Sequence, residues 1–345
     1  MGLAAILVTY DSAAAVGTAL RALVAQLSAE DELIVVDNAS KDGTCAVVRE
    51  AAPRARLLEQ ERNLGFAQAC NLGAEASTAP LLLFLNPDMA PGPGFLDALR
   101  AIATERPEWG AWQGLVLLPG GTEINTSGGV AHFLGLAWAG QCGEPVSAAP
   151  ASPTEVSFAS GAALAVRREA WERVGGFDAR YFMYGEDLDL SLRIWLSGLR
   201  VGIAPTARAE HEYEFTKGDR KWFLLERNRW WTILSDYPAA LLVLLAPGLL
   251  VSELALLMVA SRGGWLRAKL RAQAAVLRDL PEIRARRRLV QRARAISAVA
   301  FADRLTADLA NPYLGGLARV PTVVRLQRAY WALVRSALSA GGRTR

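Results

Sequence analysis

Cysteine and histidine are scarce here: 345 residues hold three cysteines and two histidines. Cys45, Cys70 and Cys142 have no close spacing, so no cysteine cage for a metal and no redox pair is suggested. An odd count argues against a disulfide framework, and a reducing compartment fits best. The opening run MGLAAILVTYD lacks a basic leader and a small-residue cleavage site and is read as a first buried strand. No internal repeat is evident. Residues 1–261 lack positive excess, with 20 Lys+Arg against 30 Asp+Glu, which makes them a poor binder of phosphate backbones. Residues 262–345 are instead short of acids, with 18 Lys+Arg against 4 Asp+Glu. Such a tail suits anionic lipid or nucleic acid. A hydrophobic share of 52% is ample for a large core, and the length predicts two units.

The first hundred residues alternate apolar runs with amphipathic stretches: LAAILVTY, helix 13–27, ELIVVD, helix 41–51, ARLLEQ, helix 65–76, PLLLFLNPD. That rhythm predicts an α/β fold with a mostly parallel sheet covered by helices. Ligands of such sheets bind at the carboxyl ends of the strands. Polar clusters sit there: Thr9-Tyr10-Asp11, Asp37-Asn38, Arg62-Asn63 and Asn86-Pro87-Asp88. Residues 109–158 carry Gly and Pro clusters around short apolar runs, which predicts antiparallel strands and long loops suited to an acceptor site. Helices are expected at 167–174, 184–197, 219–235 and 321–338.

The apolar run 239–260 is 22 residues long but contains Pro247-Gly248 and Glu253. A re-entrant or interfacial hairpin is expected, bounded by Trp222, Trp230, Trp231, Tyr237 and Trp265. Arginines on both sides of it place both ends in the cytoplasm. A buried hairpin in a soluble subdomain is the alternative. Arg284–Arg294 is an arginine-rich amphipathic stretch; beside the apolar run it favours a membrane surface over nucleic acid.

Several stretches carry chemistry. IVVDNASKDGT ends a strand in a carboxylate and then supplies a turn into a helix; a helix N-cap or turn explains it as well. ERNLGFAQACNLG joins Asn63, Gly65 and Asn71, and a Gly turn before a capped helix accounts for the glycines but not for the asparagine pair. LLLFLNPDM sets Asp88 past a buried strand, where it can reach a divalent cation. SGAALAVRREAWERVGGFDARYFMYGEDLDLSLRIWLSG, Ser160–Gly198, ends in carboxylates at a helix start. Asp189 and Arg193, four apart, are read as a structural pair on the helix surface. His132 is given no role.

Together these stretches resemble the family 2 inverting glycosyltransferases with the GT-A fold, particularly their rhamnosyltransferase-like subgroup. The resemblance covers residues 3–235 and leaves the tail uncovered. It implies a nucleoside-diphosphate sugar donor held by Thr9, Tyr10, Asp11, Asp37, Arg62, Asn63, Gly65, Asn71, Asn86 and Asp88. It further implies Mg²⁺ or Mn²⁺ on Asp88, with His211 as a second ligand or as a structural histidine, and Asp187 as catalytic base with Glu186 supporting it. Most members have a DxD pair; here Asn86 replaces the first carboxylate, and Ala179 stands where many relatives have Glu. The expected protein is thus a GT-A domain over 1–237 and a helical, basic attachment region over 238–345, with a hairpin at 239–260. It would work at the cytoplasmic face of a membrane on a lipid-linked or polymeric glycan acceptor in envelope polysaccharide assembly. Rhamnose from dTDP-rhamnose is the first choice of donor. Rivals are transfer from UDP- or GDP-sugars, transfer to polyprenyl phosphate, and a catalytically silent membrane scaffold.

Overall fold

The computed structural model describes residues 1–211, 218–309 and 320–342. In chain order the first part runs β1 (Leu3–Thr9), α1 (Ala13–Val24), β2 (Glu32–Asp37), α2 (Thr44–Ala51), β3 (Arg56–Glu59), α3 (Phe66–Glu75), β4 (Leu81–Leu85), β5 (Met89–Pro91) and α4 (Phe95–Glu105). Then come β6 (Trp109–Leu117), β7 (Ile124–Thr126), β8 (Gly129–Ala131), β9 (Ala137–Ala139), β10 (Thr154–Glu155), β11 (Ala163–Arg167), α5 (Arg168–Val174), α6 (Glu186–Leu196) and β12 (Arg200–His211). Six helices follow: α7 (Asp219–Asp236), α8 (Ala239–Arg262), α9 (Leu266–Arg278), α10 (Leu280–Arg292), α11 (Ala298–Ala302) and α12 (Pro321–Gly342).

The chain divides into two compact units. The first holds Met1–Gly129, Ala139–Ile194 and β12; the second holds Val130–Trp138, Trp195–Gly198 and the described residues from 218 onward.

The first unit is built on one sheet with the order β10-β12-β6-β11-β4-β1-β2-β3. Pairs β4/β1, β1/β2, β2/β3 and β12/β6 are parallel, whereas β11 runs antiparallel between β4 and β6. Strands β1, β4 and β6 are buried along their whole length, which is why they read as unbroken apolar runs. Trp109, expected to open an irregular stretch, instead begins the nine-residue β6, because Trp, Gly, Ala and Gln are all accepted where both faces are covered. The irregular stretch starts only after Leu117. The three-residue β5 pairs with the far end of β12, setting His211 opposite Met89.

In the second unit the expected hairpin is not formed: α8 is one continuous helix of 24 residues with Pro247 inside it. Proline removes a helical N–H and pushes its ring at the preceding turn. The Tyr330 hydroxyl enters this gap, donating to the Leu244 carbonyl at 2.6 Å and accepting from the Gly248 N–H at 3.2 Å. It replaces the bond that these two groups would otherwise make with each other. A side chain at Gly248 would meet the Tyr330 ring at 2.5 Å, so glycine beside the proline admits the bridge.

Glu253, in the same helix, meets α7 and α9 through charges. Arg229 pairs with both Glu226 and Glu253, and Lys269 Nζ donates to Glu226 at 2.7 Å and Glu253 at 2.9 Å. Lys269 is fully buried, so the group is stable only as a set; removing one member strands the others' charge. Val243, Leu250, Val251, Leu254 and Met258 of α8 are exposed. Two of the tail arginines are structural: Arg286 pairs with buried Asp236, and Arg287 donates to the carbonyls of Leu234 and Tyr237. His132 is buried against Phe133 and Trp138, and burial lowers it to about 4, so it is neutral.

Candidate active site

Thr9 and Asp37 end β1 and β2 and face each other in register. The Thr9 hydroxyl donates to Asp37 Oδ1 at 2.7 Å, and Ser40 gives Asp37 both its N–H, at 2.9 Å, and its hydroxyl. Asp11, in the left-handed region at φ 47°, receives the Lys41 N–H on Oδ1 at 2.8 Å and donates its own N–H to Ser40. Asp42 ties the same loops from below, accepting from Ala13 and Thr44; these bonds hold its carboxyl under the ordinary range. The two loops are thereby laced into one ledge. Asp37 is 2% exposed and spends its oxygens on protein donors, while the ring of Tyr10 stands 53% exposed above.

Asn38, noted in the sequence only within a strand-end polar cluster, braces the next loop. Its amide N–H donates to the Gly65 carbonyl at 3.3 Å and its Oδ1 accepts the Leu64 N–H at 3.2 Å, fixing the loop that carries Arg62 and Asn63. The clue was its place one residue beyond a strand-ending carboxylate. Asn63 accepts the Gly65 N–H at 2.8 Å, and Arg62 is exposed. Gly65 adopts φ 84°, ψ 168°, a region open essentially to glycine alone. A β-carbon there would lie 2.5 Å from the Phe182 carbonyl oxygen. Both ends of the Asn71 amide bond the Phe177 backbone, Nδ2 to the carbonyl at 2.9 Å and Oδ1 from the N–H at 3.1 Å. It fastens α3 to the Gly-Gly-Phe-Asp turn, with one N–H and one lone pair of the amide beyond these two bonds.

Asn86, Asp88 and His211 converge because β5 turns straight back along β12. His211 Nε2 lies 3.0 Å from Asp88 Oδ1 and 3.4 Å from Asn86 Nδ2. His211 is 3% exposed and the Asp88 side chain 32%, so the pair opens toward solvent on the carboxylate side. An imidazole nitrogen and a carboxylate oxygen this close are a donor set that suits one divalent cation. Among the described residues no third His, Cys, Asp or Glu joins them, so further ligands would have to come from a bound diphosphate or from water.

The carboxylates Glu186 and Asp187 begin α6 after a strained loop, with Phe182 at φ 63°, Tyr184 at φ 70° and Gly185 at φ 83°. Two bulky residues in the left-handed region are uncommon and cluster at functional sites. Asp187 is half-buried; Oδ2 accepts the Gly161 N–H at 3.0 Å and Oδ1 the Leu188 N–H at 2.8 Å. One residue on from Gly161, the Ala162 carbonyl accepts the Asn86 N–H at 3.1 Å, which sets the α6 carboxylates beside the end of β4. Burial raises the Asp187 carboxyl, although its backbone donors pull the other way. Glu186 is buried, and burial together with the nearby Asp187 pushes it up to about 8. Its Oε2 has no hydrogen-bond partner among the described residues. At neutral pH Glu186 therefore keeps its proton.

Asp189 and Arg193 form the expected pair, but in the interior and not on the surface. Arg193 donates to Asp189 and to the carbonyls of Val174 and Gly176, and Tyr181 donates to Asp189 at 3.2 Å. The brace locks the Gly-Gly-Phe-Asp turn to α6.

The family described as glycosyl transferase family group 2 matches residues 83–280, and glycosyl transferase family 2 matches residues 4–122. N-acetylglucosaminyl-diphospho-decaprenol L-rhamnosyltransferase of Mycobacterium tuberculosis is 34% identical over 240 residues, 61% of this chain and 76% of that protein. O-antigen biosynthesis protein RfbC of Myxococcus xanthus is 32% identical over 211 residues, 56% of this chain and 16% of RfbC. Among solved structures, Staphylococcus aureus TarS 1-349 in complex with UDP-GlcNAc superposes with a TM-score of 0.56 at 16% identity, covering 99% of this chain and 92% of that one. That likeness concerns the fold. The chain belongs to the family 2 glycosyltransferases and carries their GT-A fold.

Proposed function

We propose that this enzyme transfers rhamnose from dTDP-rhamnose, with inversion, to a lipid-linked glycan acceptor in cell-envelope polysaccharide assembly. What supports the donor and acceptor is the likeness to an enzyme named for L-rhamnose transfer to N-acetylglucosaminyl-diphospho-decaprenol, at 34% identity across 76% of its length. The observation that carries the chemistry is the link from Asp187 through Gly161 and Ala162 to Asn86, Asp88 and His211: a base and a cation-binding pair flank the end of one strand.

In the proposed step Asp187 takes the proton of an acceptor hydroxyl as its oxygen bonds to the anomeric carbon. The bond from that carbon to the diphosphate breaks, and the nucleoside diphosphate leaves with the electron pair. The Gly161 and Leu188 N–H groups orient the Asp187 carboxylate, leaving its remaining lone pairs for the acceptor. Neutral Glu186 adds no second negative charge near the approaching hydroxyl. Asp88 and His211 would hold Mg²⁺ or Mn²⁺, which when bound offsets charge on the departing diphosphate. In this reading the laced loops around Tyr10 and Asp11 take the nucleotide base, and Arg62 and Asn63, on the loop braced by Asn38, meet the donor.

Membrane attachment is part of the same proposal. α8 is long and apolar enough to cross a membrane, with a mean hydropathy of 2.3, yet Glu253 ties it sideways to α7 and α9. A helix held in that way lies on the cytoplasmic face and does not span it, with exposed arginines of α9, α10 and α12 against anionic headgroups.

The test presents purified full-length protein with dTDP-rhamnose, UDP-sugars or GDP-sugars, Mg²⁺ or Mn²⁺, and N-acetylglucosaminyl-diphospho-prenol. Rhamnosylated lipid formed from dTDP-rhamnose alone, and lost on chelation, is expected. Product from a UDP- or GDP-sugar instead would overturn the donor assignment.

A further inference from the structure

The second unit contains an apolar crevice for which the transfer chemistry has no use. It is an open groove of about 350 Å³ between α7 and α8, lined by Trp230 and Leu234 from α7 and by Leu242, Ala246, Leu249, Leu250 and Glu253 from α8. Ligand pockets run from roughly 300 to 1,000 Å³, so this volume admits a length of hydrocarbon and not a whole lipid.

Three observations bear on its occupant. Six of the seven lining residues are apolar, and the seventh is already matched: Glu253 accepts from Arg229, from Lys269 Nζ and from Gln273 Nε2. The crevice thus asks no hydrogen bond of its guest, which excludes a sugar or a phosphate. Leu250, which lines it, is also 65% exposed and belongs to the same outward face as Val243, Leu254 and Met258. The crevice is therefore continuous with the apolar face of α8, so a chain entering from the hydrocarbon side of a bilayer crosses no polar rim. The Tyr330 bridge to Leu244 and Gly248 keeps α8 continuous past Pro247, so Leu242, Ala246, Leu249, Leu250 and Glu253 line the crevice from a single helix.

We propose that this crevice binds a segment of the prenyl chain of the lipid-linked acceptor. The inference rests on the acceptor class proposed above. Burial of branched hydrocarbon supplies the affinity at roughly 25 cal/mol per Å², and the acceptor's glycan end is left to the catalytic unit. Seating the chain on a protein wall raises the acceptor's residence time without any contact to the sugar being made.

The experiment uses the full chain in detergent micelles and an N-acetylglucosaminyl-diphospho-decaprenol bearing a diazirine on its prenyl chain. Photolysis should label residues within 230–253, and unlabelled acceptor should suppress the label where phosphatidylglycerol does not. Label elsewhere, or equal suppression by phosphatidylglycerol, overturns the proposal in favour of a general lipid seat. Ala246→Phe fills the crevice from its exposed side. It should raise the ratio of KM for the decaprenyl acceptor to KM for a five-carbon-chain acceptor by about tenfold. An unchanged ratio is contrary evidence. Wild-type transfer to the short acceptor keeps the functional proposal standing where the crevice fails, and transfer to neither acceptor removes both.

Discussion

Replacing Glu186 with Gln should stabilise this enzyme at neutral pH. Burial, and then the charge of Asp187, lift the Glu186 carboxyl to about 8 from an ordinary 4.5. Below pH 4.5 the group is protonated in folded and unfolded chains alike and costs nothing. As pH rises from 4.5 toward 8 the unfolded chain releases its proton while the folded one holds it, so stability falls across that window. At pH 7 the deficit is two and a half pH units at 1.36 kcal/mol each, about 3 kcal/mol. Glutamine has the shape of the protonated acid without its titration, and because Oε2 has no partner among the described residues the amide forfeits no bond. Urea unfolding of E186Q should show a gain of about 3 kcal/mol at pH 7 that shrinks to nothing below pH 4.5. In the rate profile, the inflection near pH 8 should vanish from the variant, since that titration belongs to Glu186. A destabilised E186Q, or one whose stability follows the wild-type pH curve, refutes the assignment of a buried neutral acid beside the base.

Asp187→Asn should cut turnover by roughly 10²- to 10⁴-fold, with the circular dichroism spectrum and nucleotide binding retained; a variant within threefold of wild type would remove Asp187 as the base. Asp88→Ala and His211→Ala should each raise the Mn²⁺ concentration for half-maximal rate, and the double variant should not exceed the more severe single one, since two ligands of one ion act as a unit. Lys269→Met leaves Glu226 and Glu253 with one cation fewer in the interior and should cost about 3–5 kcal/mol in chemical denaturation; a neutral outcome would mean water reaches the network. Tyr330→Phe removes both bonds at the proline gap and should destabilise by about 1–3 kcal/mol, with faster amide exchange at Gly248 as the local sign.

Much of this molecule could be read from its residues, and the failures share a cause. Strands such as Leu3–Thr9 and Leu81–Leu85 announce themselves because a parallel strand covered on both faces must be apolar throughout. The convergence of Asp88 and His211 followed from the matched stretches, but its physical agent, the three-residue β5, is too short to have a periodicity. Pro247 was read as a break because a local rule applies to a local sequence; the hydroxyl that overrides it comes from Tyr330, 82 residues beyond Gly248. The Asp189–Arg193 spacing was legible, while its burial depended on carbonyls at Val174 and Gly176. Asn71 was expected at the donor from the resemblance alone, and only the fold reveals the bonds of its amide to Phe177.

That last bond has a kinetic consequence. Asn71 and Phe177 are 106 residues apart, and between them lie β4, β5, α4 and the whole of β6 to α5. Closing so long a loop comes late relative to helix and neighbouring-strand contacts. During synthesis the Asn63–Gly65 turn therefore emerges long before the partner that secures α3 beneath it. A chain stopped short of residue 177 would hold every residue of the laced ledge at the ends of β1 and β2 and still lack the clasp from α3 to Phe177.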